Sequence, residues 1–498
     1  MVSLTFLLWV LLSWLTIYFL LSSLKKSKSS PKKLPPGPFP LPIFGNLFEL
    51  GSKPHKSLAK LAHKHGPLMT LQLGQVTTIV ISSAEMAKQV LQVNDISFTN
   101  RNVLDAVCAL NHHKASIIWM PVSATWRNMR KICNSHIFSK YRLDSTHHLR
   151  RTKVEELLAY VQSCCQAGVA VDIGQATFIT NLNLLSNTFF SVDLLQPGSD
   201  KIHEFKETVW NIMVEVGKPN FADYFPMLKR IDPQAIRKHT AIHFKKLMDL
   251  FNTMINQRLL AIKSGSFEIK DVLDELLNIS YENGEELEQS YLPNLLLDLF
   301  LAGADTISST LEWAMAELLR NPDKLTKAKE ELEQVIGRGN LVQEGDIERL
   351  SYLQSIIKET FRLHPPAPFL VPRKVNADVE LCGFTVPKDA QVLVNAWAIG
   401  RDQNLWENPH SFEPERFLGL EMNVKGRDFE LIPFGAGRRI CPGMPLAMRM
   451  LPLMLSSLIH SFNWKLENED KPENMNMDDN FGITLRKAKS FLAVPIQL

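Results

Sequence analysis

The sequence predicts a mainly α-helical globular protein with small β-sheets, preceded by a transmembrane helix at its N-terminus. Apolar residues recur at spacings of three and four over long stretches, which is the period of a helix buried on one side. Strand-like runs are short, and the first 24 residues are almost entirely apolar. A chain of 498 residues with 45% hydrophobic and 21% charged residues is otherwise typical of a globular protein.

Residues 1–24 predict a membrane anchor. The stretch from Val2 to Leu24 contains no charged side chain, and at about 1.5 Å per residue a helix of that length crosses a hydrocarbon core of about 30 Å. A cleaved signal peptide is the alternative, but the stretch exceeds the usual length of roughly 7–15 residues and no A-x-A-like site follows it. The positive-inside rule places the remaining chain in the cytosol, because the anchor is followed by Lys25, Lys26, Lys28, Lys32 and Lys33.

Residues 25–40 predict a basic and proline-rich linker, and residues 41–498 predict a single domain. The prolines between Leu34 and Pro40 fix φ and discourage a helix, which indicates a stiff, extended spacer. Beyond residue 40 the sequence contains no second linker, internal repeat or low-complexity segment. The net charge is only +3, and the linker lysines account for it. A nearly neutral body excludes the concentrated basic face of a nucleic-acid-binding protein.

The apolar periodicity predicts helices throughout this body, and the short apolar runs predict strands near its two ends. We expect helices over Ser57–His65, Ser83–Val93, Thr125–Ile137, Thr152–Ala167, His203–Val216, Pro233–Ser264, Leu292–Arg320, Pro322–Ile336, Tyr352–Leu363 and Met444–Phe462. We expect strands over Leu68–Leu73, Thr77–Ser82, Val392–Ala396 and Phe491–Ile496.

The predicted helix Leu292–Arg320 is long enough, at about 43 Å, to cross the whole domain. Its first half has almost no polar face, so we expect it to be buried on all sides. A second membrane span is the alternative, but Asp298 and Asp305 would each cost about 2.5–3.5 kcal/mol inside a bilayer. The sequence therefore favours a core helix.

The segment Ala302–Thr306 lies in the middle of this helix and contains a glycine, a carboxylate and a hydroxyl. Such residues destabilise a buried helix unless each polar group finds a partner. The segment predicts a local opening of the backbone at Gly303 that aims Asp305 and Thr306 into a cavity. The alternative is a close approach of a second helix at Gly303, with the threonine hydroxyl bonded back to its own helix.

The segment Phe434–Gly443 presents Cys441 on a glycine-rich, basic loop directly before a predicted helix. Neighbouring guanidinium charge and the N–H groups at a helix start both favour a thiolate, which binds metals. The six cysteines of the chain contain no C-x-x-C pair, which indicates a reducing compartment. No second cysteine or histidine lies near Cys441, so a zinc site is poorly served, whereas a haem iron needs one protein ligand on its proximal side.

This loop resembles the haem-ligand signature of the cytochrome P-450 monooxygenases, Phe-x-x-Gly-x-Arg-x-Cys-x-Gly. The signature residues here are Phe434, Gly437, Arg439, Cys441 and Gly443. The resemblance extends over nearly the whole chain, because the family's other motifs follow in the expected order. It implies the cytochrome P-450 fold, with residues 41–498 as a haem-thiolate catalytic domain, haem b as the cofactor and Cys441 as the iron ligand. Phe434, Arg439 and Gly443 are implied to contact the haem.

Two further groups of residues take roles from the same resemblance. Glu359, Arg362 and Arg416 are implied to form a structural network that holds the haem-binding loop, although Glu359 and Arg362 also have the spacing of a simple helical ion pair. Arginine suits the binding of carboxylates because its guanidinium stays charged and donates two parallel hydrogen bonds. The side chains implied to meet the haem propionates are Trp126, Arg130, Arg373 and Arg439.

The segment Ala302–Thr306 resembles the oxygen-activating segment of the family. The resemblance implies that the hydroxyl of Thr306 lies near bound dioxygen and that Asp305 is the acid of a proton relay, in a site that restricts water. The implied reaction inserts one oxygen atom of O2 into a substrate. The chain departs from the usual family pattern at Ile307, where many relatives carry threonine or serine, and at Gln403, where proline is common.

The chain lacks a G-x-G-x-x-G motif after a strand and lacks a P-loop, so it has no evident nicotinamide or flavin site of its own. The resemblance implies that electrons come from NADPH-cytochrome P-450 reductase in the same endoplasmic reticulum membrane. A basic docking face near Cys441 would serve this partner, and scattered solvated charges are the alternative interpretation. The residues expected on this face are Arg127, Lys131, Arg438 and Arg449.

The leader and the segment Gly217–Pro226 resemble the plant microsomal branch of the family, within it the group that contains geraniol hydroxylases. The resemblance implies a small lipophilic substrate, foremost a terpenoid such as a monoterpenol, and alternatively a phenolic or amino-acid-derived compound. Asp298 and Thr484 either orient a substrate hydroxyl or are satisfied structural groups. The residues expected to line the pocket are Ile117, Ile118, Asp298, Leu301, Ala302, Ala367, Phe369, Leu370, Ile483 and Thr484.

Two other functions compete with hydroxylation. A haem-thiolate isomerase or dehydratase that does not use O2 would keep the haem site, but the Asp305–Thr306 pair argues against it. A non-catalytic, membrane-tethered binding module would show no substrate turnover and no spectral response to ligands.

Overall fold

The computed structural model describes residues 33–194, 200–264, 270–282, 287–467 and 471–498, together with Phe6, Trp9 and Ser13. Apart from these three residues, the predicted anchor, residues 1–24, lies outside the described residues, and so does the first half of the predicted linker, residues 25–32. Within the described residues, no helix combines the length and the apolar character that a membrane crossing requires. Part of the linker is bonded to the body, because the carbonyls of Lys33 and Pro36 accept 2.8 Å hydrogen bonds from the N–H groups of Thr385 and Thr70.

Helices form most of the described chain. The main ones, counting a helix together with any π-helical turn that continues it, are α1 (Pro54–His65), α2 (Ala84–Lys88), α3 (Ala124–Ile132), α4 (His147–Ala167), α5 (Ile173–Phe190), α6 (Asp200–Gly217), α7 (Ile236–Lys263), α8 (Val272–Glu282), α9 (Leu292–Arg320), α10 (Pro322–Ile336), α11 (Ser351–Leu363) and α12 (Met444–Ser461). Helices α2 and α3 each continue as a π-helical turn, Gln89–Val93 and Cys133–Ile137. Shorter α-helices are Leu47–Leu50, Lys140–Ser145, Phe221–Tyr224 and Ala396–Ile399.

The strands form small sheets at the sides of the helical body. They are β1 (Leu68–Leu73), β2 (Val76–Ile81), β3 (Asn100–Arg101), β4 (Val171–Asp172), β5 (Arg373–Lys374), β6 (Val379–Leu381), β7 (Phe384–Val386), β8 (Gln391–Val394), β9 (Phe462–Leu466), β10 (Asp479–Asn480), β11 (Arg486–Lys487) and β12 (Leu492–Gln497). One sheet has the order β1-β2-β8-β5-β3, with β2 and β8 parallel, and another has the order β4-β12-β9. The predicted mainly helical class with small sheets is confirmed.

Helix α9 is the centre of the body. It has the bounds that the sequence predicts, because Pro293 suits its first turn and Asn321 ends it before Pro322. It contacts α5, α7, α10, α11 and α12, and most of its residues are buried. The sequence prediction missed α5, which packs along α9, because α5 is apolar on nearly all sides and shows no clear helical period. It also missed α8.

A buried ion network holds the segment that follows β8 against α11. The Glu359 carboxylate accepts two 2.7 Å hydrogen bonds from Arg362 and one of 3.1 Å from Arg416. The remaining donors of Arg362 reach the carbonyls of Gly400, Pro409 and Ser411 at 2.6–2.9 Å. Glu359 and Arg362 are both fully buried. The three residues expected to form a network therefore do so, and every charge in it has an opposite partner.

The loop between Phe434 and Cys441 is closed by its own backbone and packs on the turn after α2. The N–H of Cys441 donates to the carbonyl of Phe434 at 3.0 Å, and Gly435 and Gly437 both have φ of +69°. A Cβ atom on Gly437 would lie 2.1 Å from the carbonyl oxygen of Leu91, whereas a Cβ on Gly435 would meet nothing closer than 3.8 Å. Of these two glycines, only Gly437 lies where a second backbone approaches too closely to leave room for a side chain.

These two glycines provide a matched pair of substitutions. Gly435→Ala carries only the conformational cost of a left-handed alanine, about 1–2 kcal/mol. We expect Gly437→Ala to lose clearly more stability, because the same conformational cost is added to a backbone collision. Thermal unfolding of the two variants beside the parent protein measures the difference. Equal losses for both variants would contradict the role assigned to the contact with Leu91.

Candidate functional site

Cys441 lies at the end of this loop, three residues before the start of α12, and is half-buried. Burial raises the pKa of its thiol, while the N–H groups of Gly443 and Met444 and the guanidinium of Arg130 act in the opposite direction. The charge and the N–H donors expected to favour a thiolate are present, but burial outweighs them. A cation bound at the sulfur would provide the missing stabilisation.

Four guanidinium groups gather beside this loop: Arg101 on β3, Arg373 on β5, Arg130 on α3 and Arg439 within the loop. Arg373 and Arg439 are 3% and 7% exposed. Strand pairing sets Arg101 directly opposite Arg373, and Arg130 donates to the carbonyl of Ile440. The structure therefore brings together the three arginines that the sequence motifs single out, and it adds a fourth.

The N–H groups of this arginine cluster are satisfied mainly by backbone carbonyls. Arg439 donates to Thr99 at 2.9 Å and Arg373 donates to Phe98 at 3.1 Å. Arg101 donates at 2.7 Å to the carbonyl of Val371. Carbonyls satisfy hydrogen bonds but do not cancel charge. Asp95, 3.5 Å from Arg373, is the carboxylate within salt-bridge distance of the cluster in the part of the chain that the structure describes.

The electrostatics of the cluster reflect this imbalance. Burial and the neighbouring guanidinium charges lower the pKa of Arg101, and they lower the pKa of Arg439 to about 9. Burial alone lowers the pKa of Arg373 to about 10. Four cations that share one carboxylate suit the binding of an anionic group with more than one negative charge. The two propionates of a haem have this charge, so the donor set fits the predicted cofactor.

The sequence prediction missed Arg101. No motif points to it, and its role depends on a two-residue strand pairing that periodicity cannot reveal. Two arginines directly opposite each other on paired strands repel, and this repulsion becomes visible only once the register is known.

Trp126 lies at the cluster but does not offer it a free donor. Its indole N–H donates to the carbonyl of Ile117 at 2.9 Å, and the guanidinium of Arg439 lies over its ring at 4.5 Å. Ser123 caps the start of α3 through the N–H of Trp126, which sets Trp126 and Arg130 one turn apart on one face. Trp126 therefore acts on the cluster by holding Arg439.

Helix α9 runs without interruption through the segment Ala302–Thr306. The predicted opening at Gly303 is wrong: a Cβ there would lie 2.9 Å from a methyl group of Leu185 on α5, and the hydroxyl of Thr306 donates to the carbonyl of Ala302 at 2.7 Å. The alternative of a close helix approach with a back-bonded threonine is correct. Ala302 is nevertheless exposed and Thr306 half-buried, although their neighbours Leu301, Ala304 and Ile307 are buried.

Asp305 does not share this accessible face. Its Oδ1 forms an ion pair with Arg486 on β11, and its side chain lines a cleft against α5, α6 and the β10–β11 hairpin in which Thr306 takes no part. The expectation that Asp305 and Thr306 point into one cavity is therefore wrong. Successive residues of a helix point about 100° apart, so an acid and an alcohol at adjacent positions reach different surroundings.

Several residues expected in the substrate pocket have structural partners. The Asp298 carboxylate is 2% exposed and binds His112 at 2.9 Å and the hydroxyl of Ser116 at 2.7 Å. Burial opposes a charged imidazole, but Asp298 and Asn294 raise the pKa of His112 above its usual value. Of the two interpretations left open for Asp298, the structural one holds.

The other predicted pocket residues are mostly apolar and differ in exposure. Phe369 packs with the core beside β1 and β2, and Ile483 and Thr484 line the same cleft as Asp305. Ile307 is buried in the main core and Gln403 is exposed, so neither departure from the family pattern lies on the face that carries Thr306. The half-buried members of the predicted pocket are Ile118, Ala367, Leu370 and Ile483, and the buried apolar ones are Ile117, Leu301 and Phe369.

The residues of the predicted basic docking face differ in exposure and in pairing. Arg449 forms ion pairs of 2.7 Å with Asp144 and with Glu344, and Arg438 pairs with Asp95 at 3.2 Å although half of its side chain is exposed. Arg127 and Lys131 are exposed. Arg449 is therefore a structural residue rather than a free surface charge.

Comparison with known proteins gives a consistent picture. The profile of the cytochrome P-450 family matches residues 35–493. Geraniol 8-hydroxylase from Catharanthus roseus is 56% identical over 488 residues, which is 98% of this chain and 98% of that protein. Drimenol monooxygenase from Persicaria hydropiper is 58% identical over 95% of this chain and 94% of that protein. 7-Ethoxycoumarin O-deethylase from Helianthus tuberosus is 51% identical over 98% of each chain.

The family match covers the elements that build the site, from the proline-rich segment at residue 35 to β12. Within this range lie the buried arginine cluster, the Cys441 loop and helix α9. Members of the family bind haem b through a cysteine thiolate and act as monooxygenases. This chain belongs to the cytochrome P-450 family.

Proposed function

We propose that this monooxygenase hydroxylates a small terpenoid alcohol. The observation that carries the proposal is the similarity along almost the whole chain to two enzymes named for terpenoid alcohols, geraniol and drimenol. The mostly apolar character of the residues assigned to the pocket agrees with a lipophilic substrate. The relative named for 7-ethoxycoumarin makes a phenolic ether the second class to be tested.

Cys441 is proposed as the iron ligand, with the arginine cluster holding the two propionates. Bound haem supplies the chemistry that activates O2 for insertion into a carbon–hydrogen bond. The N–H groups of Gly443 and Met444 point at the sulfur and would limit its basicity as a ligand. Phe434, whose ring meets Phe361 edge to face at 5.3 Å, packs the loop against α11.

Thr306 is proposed to handle protons on the accessible face of α9. Its hydroxyl donates its own proton to the carbonyl of Ala302, so the two lone pairs of Oγ remain available to accept hydrogen bonds. An ordered water held by Oγ would give one proton donor in an otherwise apolar wall, and the buried neighbours Leu301 and Ile307 restrict further water. Asp305, about 100° around the helix from Thr306, is proposed to supply the protons from the cleft.

The pocket residues leave the orientation of substrate to shape more than to charge. Asp298 is occupied by His112 and Ser116, and these bonds attach the segment from Ala106 to Ser116 to α9. Ile117 and Ile118 follow directly on that segment and are proposed to contact the apolar body of the substrate. This arrangement predicts that the substrate hydroxyl is recognised weakly and that chain length and branching decide selectivity.

Residues 1–24 are proposed to anchor the enzyme in the endoplasmic reticulum membrane, with residues 25–40 as the connection to a cytosolic domain. The absence of charge between Val2 and Leu24 and the lysines that follow support this orientation. NADPH-cytochrome P-450 reductase is the proposed electron donor. Of the basic residues considered for docking, Arg127, Lys131 and Arg438 remain exposed and are the ones proposed to contact it.

The function is tested with the full-length enzyme, the reductase and NADPH on a panel of terpenols and phenols, with products identified by mass spectrometry. Hydroxylated terpenols that require both NADPH and reductase are the expected result. Turnover confined to phenolic compounds would show that the substrate is phenolic rather than a terpenoid. Product formed without NADPH would establish the isomerase or dehydratase alternative.

Thr306→Ala is expected to uncouple NADPH oxidation from product while leaving haem bound. Losing one hydrogen bond of about 1.4 kcal/mol corresponds to an approximately tenfold fall in product per NADPH. Thr310→Ala is the matched control, because Thr310 bonds back to the carbonyl of Thr306 in the same way but is buried. The proton-handling role is contradicted if both variants couple equally well.

Arg101→Gln is expected to have opposite effects on the two forms of the protein. It relieves repulsion in the haem-free chain, so the midpoint of thermal unfolding should rise there. It removes a propionate partner, so haem should transfer to apomyoglobin about tenfold faster or more, as for a lost charge-assisted bond of about 1.5–3 kcal/mol. Arg127→Gln, at an exposed site on α3, should change neither quantity. A general loss of stability in both forms would argue against the cluster as an anion site.

A further inference from the structure

A cleft of about 560 Å³ opens on the side of α9 that carries Asp305. Its walls come from the start of α5, from α6 and from the segment around the β10–β11 hairpin. From α9 itself it is lined by Asp305, Ser308, Ser309 and Glu312. A cleft of this size with polar walls is large enough to hold several water molecules.

These four residues form one polar stripe. Positions i, i+3, i+4 and i+7 of a helix lie on one face, and the stripe from Asp305 to Glu312 extends over two turns, about 10.5 Å. Most of the remaining residues of α9 are apolar and buried, and polar groups in such a helix are costly unless each has a role. The hydroxyl of Ser309, between the two carboxylates, donates to the carbonyl of Leu485 at 2.9 Å and keeps its lone pairs as acceptors.

Asp305 is incompletely satisfied within this stripe. Its Oδ1 is paired with Arg486, whereas its Oδ2 is buried and accepts no hydrogen bond from the described part of the chain. The side chain is 3% exposed. A buried carboxylate oxygen without a protein partner in a polar cleft is a position for an ordered water.

Glu312, at the other end of the stripe, is held in place but not neutralised. Its Oε1 accepts a 3.0 Å hydrogen bond from the N–H of Phe491, and a Cβ on Gly174 would lie only 3.0–3.2 Å from its carboxyl atoms. Burial, opposed by that N–H, raises the pKa of Glu312 to about 7, with Asp172 acting in the same direction as burial and Lys487 and Arg486 against it. The other charged residues that line the cleft are Glu207 and Lys218.

We propose that Glu312 is a proton donor to Asp305, acting through cleft water. The proposal rests on the monooxygenase function, which consumes two protons for each O2 cleaved. In the step itself, the O–H bond of the Glu312 carboxylic acid breaks and an O–H bond forms on Asp305, with proton transfers along the intervening water. The Ser309 hydroxyl, whose proton is bonded to the Leu485 carbonyl, accepts a hydrogen bond from that water and holds it in place. Glu312 then regains its proton from water in the open part of the cleft.

A purely structural role for Glu312 is the competing interpretation, since its carboxyl group sits at the N-terminal end of α5 and accepts from Phe491. The two roles respond differently to substitution. Glu312→Gln keeps the shape and the acceptor oxygen for Phe491 but cannot lose or gain a proton. Glu312→Asp keeps the ionisable group and shortens it. A structural role predicts that glutamine is the milder change, and a proton-transfer role predicts that aspartate is.

The first experiment reads the proton directly and needs no substrate. In the haem-loaded enzyme, the infrared C=O stretch of a protonated carboxylic acid should fade as pH rises, with a midpoint near 7, and should shift promptly in D2O because the group exchanges with cleft water. This band should be missing in Glu312→Gln. A band that stays unchanged in Glu312→Gln, or that does not exchange, would overturn the proposal.

The second experiment reads catalysis as product formed per NADPH oxidised. We expect Glu312→Gln to lower this ratio by about tenfold, less than the hundredfold or more of a group that transfers a proton to the reacting atoms itself, and Glu312→Asp to restore most of it. In the parent enzyme the ratio should fall as pH rises through 7, because the protonated donor is depleted, whereas in Glu312→Gln it should not change with pH.

Glu317→Gln is the matched control for this measurement. Glu317 is a buried carboxylate on the same helix, but it binds His364 at 2.6 Å and does not line the cleft. It should couple as the parent enzyme does. If no terpenol is a substrate, coupling is measured with whichever panel compound is turned over, so failure of the substrate proposal and failure of the Glu312 proposal remain distinct. Equal coupling in Glu312→Gln and the parent enzyme would refute the role of Glu312.

Discussion

Four like charges, two of them buried and two half-buried, constrain the side of the molecule that carries the Cys441 loop. The guanidinium groups of Arg101, Arg130, Arg373 and Arg439 come from four separate stretches of the chain, and each donates to the backbone of another stretch. The cluster thus joins β3, β5, α3 and the Cys441 loop by hydrogen bonds while leaving positive charge uncompensated. Burying such charge is costly, and a dianionic ligand removes most of that cost. We therefore propose that cofactor binding completes the fold on this side of the protein.

The Glu359 network is the opposite case and makes the first one easier to interpret. There a fully buried carboxylate faces Arg362 and Arg416, and every remaining donor of Arg362 finds a carbonyl. With Glu413, 3.4 Å from Arg416, its charges are balanced within the protein, so it needs no ligand and serves to hold the chain after β8. Both groups consist of buried arginines with good hydrogen bonds. The balance of charge, rather than burial or hydrogen bonding, separates a binding site from a structural clamp.

The sequence predicts those parts of the protein in which neighbouring residues determine the outcome. The bounds of α9 and α10 follow from Pro293, Asn321 and Pro322, and the presentation of Cys441 follows from the glycines before it. Helix α5 is missed because burial on all sides removes the periodic signal. The partners of Arg449, and the place of Arg101 beside Arg373, depend on long-range pairing that no local pattern contains. Predictions that depended on residue type therefore agreed better with the structure than predictions of where a side chain points.

Orientation matters most on α9, where adjacent residues serve two compartments. Thr306 lies on the accessible face that Ala302 marks, and Asp305 lies about 100° around the helix, in the polar cleft with Glu312. We propose that the continuous helix, with no opening at Gly303, keeps the water of the cleft away from the face of Thr306. Protons would then pass from Asp305 to the side of Thr306 where the polar stripe and the accessible face adjoin. On this proposal the helix admits protons and excludes the solvent that carries them.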